Sequence, residues 1–171
     1  MFFLEKPDEE NYVQVFGLLN KERTFMWVKR EYLKVPKNFE YYKVFVPKSN
    51  GSGAIGEVVP TPLIGQPQIG EPQIGHTQSF ISIGSFHSKK EASAAYKYIC
   101  SKFARCLLGI LKITQDNPSD KWKYVPLQDF REKSDINWNV SIPNIDKQLY
   151  KKYGLSAEEI NFIETNVKEM E

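Results

Sequence analysis

Between Ser88 and about Thr114, the residues Ala92, Tyr96, Ile99, Phe103, Leu107 and Ile110 recur at steps of three and four. That spacing gathers them on one face of a long α-helix. Ser88 is a good N-cap, and Glu91 three residues on completes a capping box. Lys90, Lys97, Ser101, Arg105 and Lys112 share another face, within roughly 80° of arc. A solvated face is the plain expectation for this basic stripe, with a phosphate-facing role as the alternative.

An amphipathic helix of this length needs an apolar surface to lie on, and the chain before it is strand-like. "NYVQVFGLLNKERTFMWVKREYL" reads as two strands joined by a polar turn at Asn20–Glu22. Tyr42–Pro47 is a third strand, "QSFISIGSF" a fourth, and "DKWKYVPLQDF" a further one ending at Pro126. The last stretch gives two short helices, with Gly154 capping the first and a Ser156/Glu159 capping box opening the second. The expected architecture is an α+β fold: a mixed β-sheet of about five strands, the long helix packed on it, and a C-terminal helical pair. One domain is expected over residues 1–171, with a core at about 12–128 and a helical extension at about 139–171.

Charge narrows what the last helices do. Residues 156–171 carry a net −4, which leaves about +6 on the rest of the chain. A helix–Gly–helix can read DNA, but the second helix here sets Glu158, Glu159, Glu164 and Glu169 against Lys168. Coulomb repulsion from a polyanion opposes that use, so a packing or docking role is expected.

Several chemistries drop out. Cys100 and Cys106 are six apart in the helical run, too far around for a disulfide within one helix, and His76 and His87 stand in different segments. Neither a disulfide nor a metal is expected, and a reducing cytoplasm fits. "MFFLEKPDEE" lacks the features of a signal peptide, and no run reaches the roughly 18 apolar residues of a membrane span. Gly51–Gly56 spells G-S-G-A-I-G, a dinucleotide-loop fingerprint, but prolines at 60, 62, 67 and 72 exclude the helix that must follow it. "DNPS" at Asp116–Ser119 approaches the D/N-P-P-Y/F tetrad of amino methyltransferases, yet Ser119 and Asp120 replace the second proline and the aromatic. No catalytic triad, paired carboxylates or nuclease motif is assembled, so no catalytic residue is assigned.

The stretch from Asn50 to Gln78 is the least core-like part of the chain. It carries "PLIG", "PQIG" and "PQIG" at a five-residue period from Pro62, Pro67 and Pro72, and reads as a long surface loop. Gln66, Gln68, Gln73, His76, Thr77 and Gln78 display amide, imidazole and hydroxyl groups suited to base edges. Lys43, Lys48, Ser49, Asn50 and Ser52 suit phosphates, and Gly51 and Gly53 let backbone N–H groups come close.

Six stretches, "YKVFVPKSNGSGAIGE", "TPLIG", "GHTQSFISIGSF", "SKFARCLLGILKITQDNP", "WKYVPLQDF" and "IDKQLYKKYGLSAEEINFIE", follow one another in a recognisable order. From about Tyr12 to Glu169 they resemble the C-terminal target-recognition part of bacterial adenine-specific DNA methyltransferases. The likeness is to restriction–modification enzymes, single-chain type IIG enzymes included, with a TaqI-like specificity domain. The tandem "PQIG" is an extra unit relative to the shorter form of that family. The resemblance implies sequence-specific binding of double-stranded DNA by a non-catalytic fragment or detached domain. It implies a cytoplasmic setting and no cofactor in this chain. S-adenosylmethionine would be held by an N-terminal methyltransferase or endonuclease domain of the parent protein, which would be the second partner beside DNA. Two other readings stand beside it: an interaction module whose Pro/Gly loop and acidic tail dock a subunit, and a complete small enzyme such as a nuclease.

Overall fold

The computed structural model describes residues 2–49, 63–111 and 119–170. The architecture is α+β, as expected, but the strands divide into two three-stranded sheets instead of one. In the first, β1 (Tyr12–Leu19) pairs antiparallel with β2 (Glu22–Lys29) and parallel with the short β5 (Ile74–His76). In the second, β3 (Tyr42–Pro47) lies between β4 (Gln68–Gly70) and β6 (Phe80–Phe86), antiparallel to both.

The hairpin follows from its turn. Leu19 pairs with Glu22, so Asn20 and Lys21 form a two-residue connection, and both have positive φ, 51° and 70°. Two left-handed residues give the turn a twist that matches the flanking strands.

The tandem "PQIG" is not the surface loop expected of it. Its two copies supply β4 and the start of β5, one strand to each sheet. Leu63 and Ile64, just ahead, are buried. Strands of three residues are too short to declare themselves by alternation, and their pairing comes from neighbours far along the chain. Gly70 is required by close approach, since a Cβ there would run into the Phe45 ring, which is fully buried. Gly70→Ala is therefore expected to cost about 2 kcal/mol by overpacking, read as a lower midpoint in thermal unfolding.

β3 is covered on both sides. Phe45 faces the first sheet, stacked at 5.7 Å from Phe16, which in turn meets Phe80 at 4.6 Å. Val44 and Val46 point the other way, into a cluster with Ala95, Ile99 and Leu108 of the helical layer. Further out, α3 (Ile142–Tyr153) and α4 (Ala157–Asn166) bury Ile145, Leu149 and Ile163 with Tyr98, Phe103 and Ala104. Gly154 caps α3 at φ 65°, and the Ser156/Glu159 capping box opens α4.

The single long helix is interrupted. α1 runs Lys89–Cys100 and α2 runs Lys102–Leu111, with Ser101 extended between them at φ −63°, ψ 147°. A new helix start exposes four N–H groups that need acceptors. Asp146 of α3 accepts from Lys102 N at 3.1 Å and Phe103 N at 2.9 Å. Ser101 Oγ accepts from Ala104 N, and Ser101 O from Arg105 N. All four are met, two of them by a residue more than forty positions away.

The break also removes the basic stripe. Lys90 pairs with Glu132 at 2.7 Å, and the Lys97 ammonium donates to Trp138 O and Val140 O. Arg105 is buried, donating to Cys100 O and Lys168 O. Lys97 and Arg105 tie the helices to residues 138–140 and the C-terminal segment, so the stripe is not one continuous row, while Lys90 stays exposed beside Glu132. Lys112 lies outside the described residues. The strand expected in "DKWKYVPLQDF" is absent too: Ser119–Tyr124 forms a 3₁₀ turn. The segment after it is held by side chains, with Tyr98 Oη and Gln128 Nε2 both donating to Pro126 O.

Candidate functional site

One end of the paired sheets collects polar and basic groups from four separate segments. The β1–β2 turn brings Lys21 and Arg23, and Lys48 and Ser49 follow the end of β3. Gly65 and Gln66 precede β4, and Gln78 lies in the turn before β6. Local bonds bind these pieces together. Lys48 N donates to Ser79 O at 2.9 Å, and Phe80 N to Thr77 O. Arg23 Nη1 donates to Gln66 O, while its guanidinium lies 5.9 Å from the Phe80 ring centroid. Lys21, Arg23, Lys48, Ser49, Gln66 and Gln78 are all exposed. Glu22 is the acid of the hairpin turn, so positive charge predominates among these residues.

The residues expected at the site fare differently. Lys48, Ser49, Gln66 and Gln78 are gathered at this end. Gln66 directs its amide to Tyr96 Oη on α1. Gln68 is exposed on β4 and, with Gln66, lines a groove of about 620 Å³ between the sheets that also holds Gln14, Phe25 and the Glu71–Lys89 ion pair. Asn50, Gly51, Ser52 and Gly53 lie outside the described residues.

Lys43 is a correction. It is 1% exposed, and its ammonium donates to Phe39 O, Tyr41 O and Glu71 O at 2.9–3.0 Å. Burial pushes its pKa down to about 8, with the carboxylate of Glu40 pulling the other way. A side chain enclosed in this way cannot meet a phosphate. Two-residue alternation already placed it on the face of Phe45.

His76 also turns inward. Its Nδ1 donates to Thr77 O at 2.9 Å, which leaves Nε2 to accept from Ser82 Oγ at 3.3 Å. The ring meets Phe45 edge-on at 5.4 Å, so it bridges the two sheets rather than a base edge. Burial holds its pKa below the usual range, the Thr77 bond opposing and Lys43 adding to the shift. Gln73 sits at φ 62° in the β4–β5 turn, donating to Glu40. It belongs to the Lys43 end of β3, about 16 Å along the strand from Lys48.

Arg23 and Lys21 are the site residues the sequence reading missed. The polar turn was recognised, but the pairing that carries it to the end of β3 joins segments over forty residues apart. Cys100 and Cys106 are buried and form no disulfide, and burial pushes the Cys100 thiol up to about 11 and raises that of Cys106. Among the described residues no group of three or more His, Cys, Asp or Glu is arranged to hold a metal ion, and no helix is long and apolar enough to cross a membrane. No protein-family model matches this chain, and neither a curated protein nor a solved structure matches it.

Proposed function

We propose that this chain recognises a short sequence of double-stranded DNA, as the specificity domain of an adenine-directed DNA methyltransferase or restriction–modification enzyme. The observation that carries the reading is the convergence of Lys21, Arg23 and Lys48 with Ser49, Gln66 and Gln78 at one end of the two sheets. Cations beside amide and hydroxyl groups match the division of labour in DNA recognition. Phosphate contacts set the register, and short polar side chains read the bases. The order of sequence motifs resembling that family supports the same reading. Three basic side chains give modest affinity, consistent with a domain that closes on one side of a duplex while a catalytic domain closes on the other.

The test is binding to a pool of randomised duplexes, followed by selection and by titration of an enriched duplex over a series of salt concentrations. Lys21→Gln and Lys48→Gln alter exposed residues and leave the core intact. Each phosphate contact removed is expected to lower the slope of log K against log salt by about 1, so the double variant should lose about 2. Failure of the pool to enrich, or a double variant with the wild-type slope, would overturn the proposal.

A further inference from the structure

An apolar groove of about 440 Å³ runs between α2 and α4, well away from the basic end of the sheets. Phe103 and Ile163 form its buried floor, and Leu107 and Leu155 are half-buried in its walls. At its edges Ile110 is 66% and Phe162 47% exposed. Glu158 and Glu159, in the first turn of α4, supply the charge, and no lysine or arginine lines the groove among the described residues. Glu159 accepts the Ser156 N–H through one oxygen.

We infer that this groove docks an amphipathic helix of a partner protein, one with an apolar stripe bordered by lysine or arginine. The apolar lining asks for leucine-like side chains at helical spacing, the usual way a helix enters a groove. The two carboxylates at one end select a basic border and disfavour an acidic one. A small molecule sunk in the cleft leaves Ile110 and Phe162 in water, whereas a helix laid across it covers both. The inference is independent of the DNA-binding reading, because it involves another face and another class of partner.

The probes are two labelled model peptides of equal length, a Leu/Lys amphipathic helix and its Leu/Glu counterpart. Each is titrated with the whole chain in the absence of DNA and followed by fluorescence anisotropy. The Leu/Lys peptide is expected to bind at least about tenfold more tightly than the Leu/Glu one. Ile110→Asp with Phe162→Asp, both exposed positions, should abolish that binding while circular dichroism stays unchanged. Amide chemical-shift changes in the wild-type chain should map to Leu107, Leu155 and Phe162, a readout that does not depend on any variant folding. Equal binding of the two peptides, no binding, or shifts confined to another face would overturn the inference. A dimer in sedimentation that the double variant dissolves would overturn it too, and would assign the groove to a second copy of this chain.

Discussion

Replacing Asp146 with alanine is expected to lower the free energy of unfolding by about 3 kcal/mol, from two buried N–H donors left without an acceptor at roughly 1.5 kcal/mol each. Asp146 is 2% exposed, and its two oxygens accept from Lys102 N and Phe103 N, the first N–H groups of α2. Alanine leaves both donors without an acceptor at the point where α1 gives way to α2. Asp146→Asn keeps one acceptor oxygen and should cost about half as much.

The effect has a defined pH dependence. Burial pushes the Asp146 carboxyl up to about 6, against the pull of the Phe103 and Lys102 N–H groups and of Arg105, with Glu164 adding to the rise. In the unfolded chain the same group releases its proton near the ordinary aspartate value of about 3.9. Between these values the native state binds the extra proton. The stability owed to this group is therefore complete below about pH 4 and is lost as pH rises through about 6. Urea denaturation of wild type and Asp146→Ala at both ends of that window should show the larger cost at the acidic end. An equal cost at both ends, or one below about 1 kcal/mol, would contradict the buried-cap account.

Lys43→Met is the second large effect, expected at about 3 kcal/mol. Methionine fills similar space but leaves Phe39 O, Tyr41 O and Glu71 O without the ammonium that joins them. Relief of the buried charge offsets more of that loss below about pH 8, where the amine is protonated, than above it. The loss should be local as well as global. Gln73 N donates to Phe39 O, so hydrogen exchange at Gln73 is expected to accelerate in the variant more than exchange along β1 and β2. In the wild type the Lys43 amine should titrate near 8, against 10.5 for an ordinary lysine. The unfolded chain then binds more protons across that window, so this group's contribution rises with pH and is lost as pH falls through about 8. A Lys43 side-chain resonance titrating at the ordinary lysine value would show that the ammonium is not enclosed.

These two residues also show how far local sequence could be read. Lys43 lies two residues from Phe45 in a strand whose extent was legible, so its inward direction was written in the alternation. Lysine is seldom buried, but strand β3 is covered on both faces, where that habit fails. Ser101 gave no comparable warning. The apolar spacing continues across it, and the reason to stop the helix there is Asp146, on another helix. The same limit applies at the candidate site. Lys48, Ser49 and Gln78 were visible as polar groups near strand ends, but Arg23 joins them only through the pairing of sheets.

By itself the sequence determined the α+β class, the β1–β2 hairpin, β3, β6 and the capped C-terminal helices. Each of these is set by periodicity or by a cap within a few residues of its own position. Tertiary structure alone decided that the strands split into two sheets, that the "PQIG" copies serve one in each, and that the long helix breaks at Ser101. It also decided which cations face water. Those outcomes depend on which distant groups can satisfy buried N–H, C=O and ammonium groups, and partners of that kind leave no local pattern in the chain.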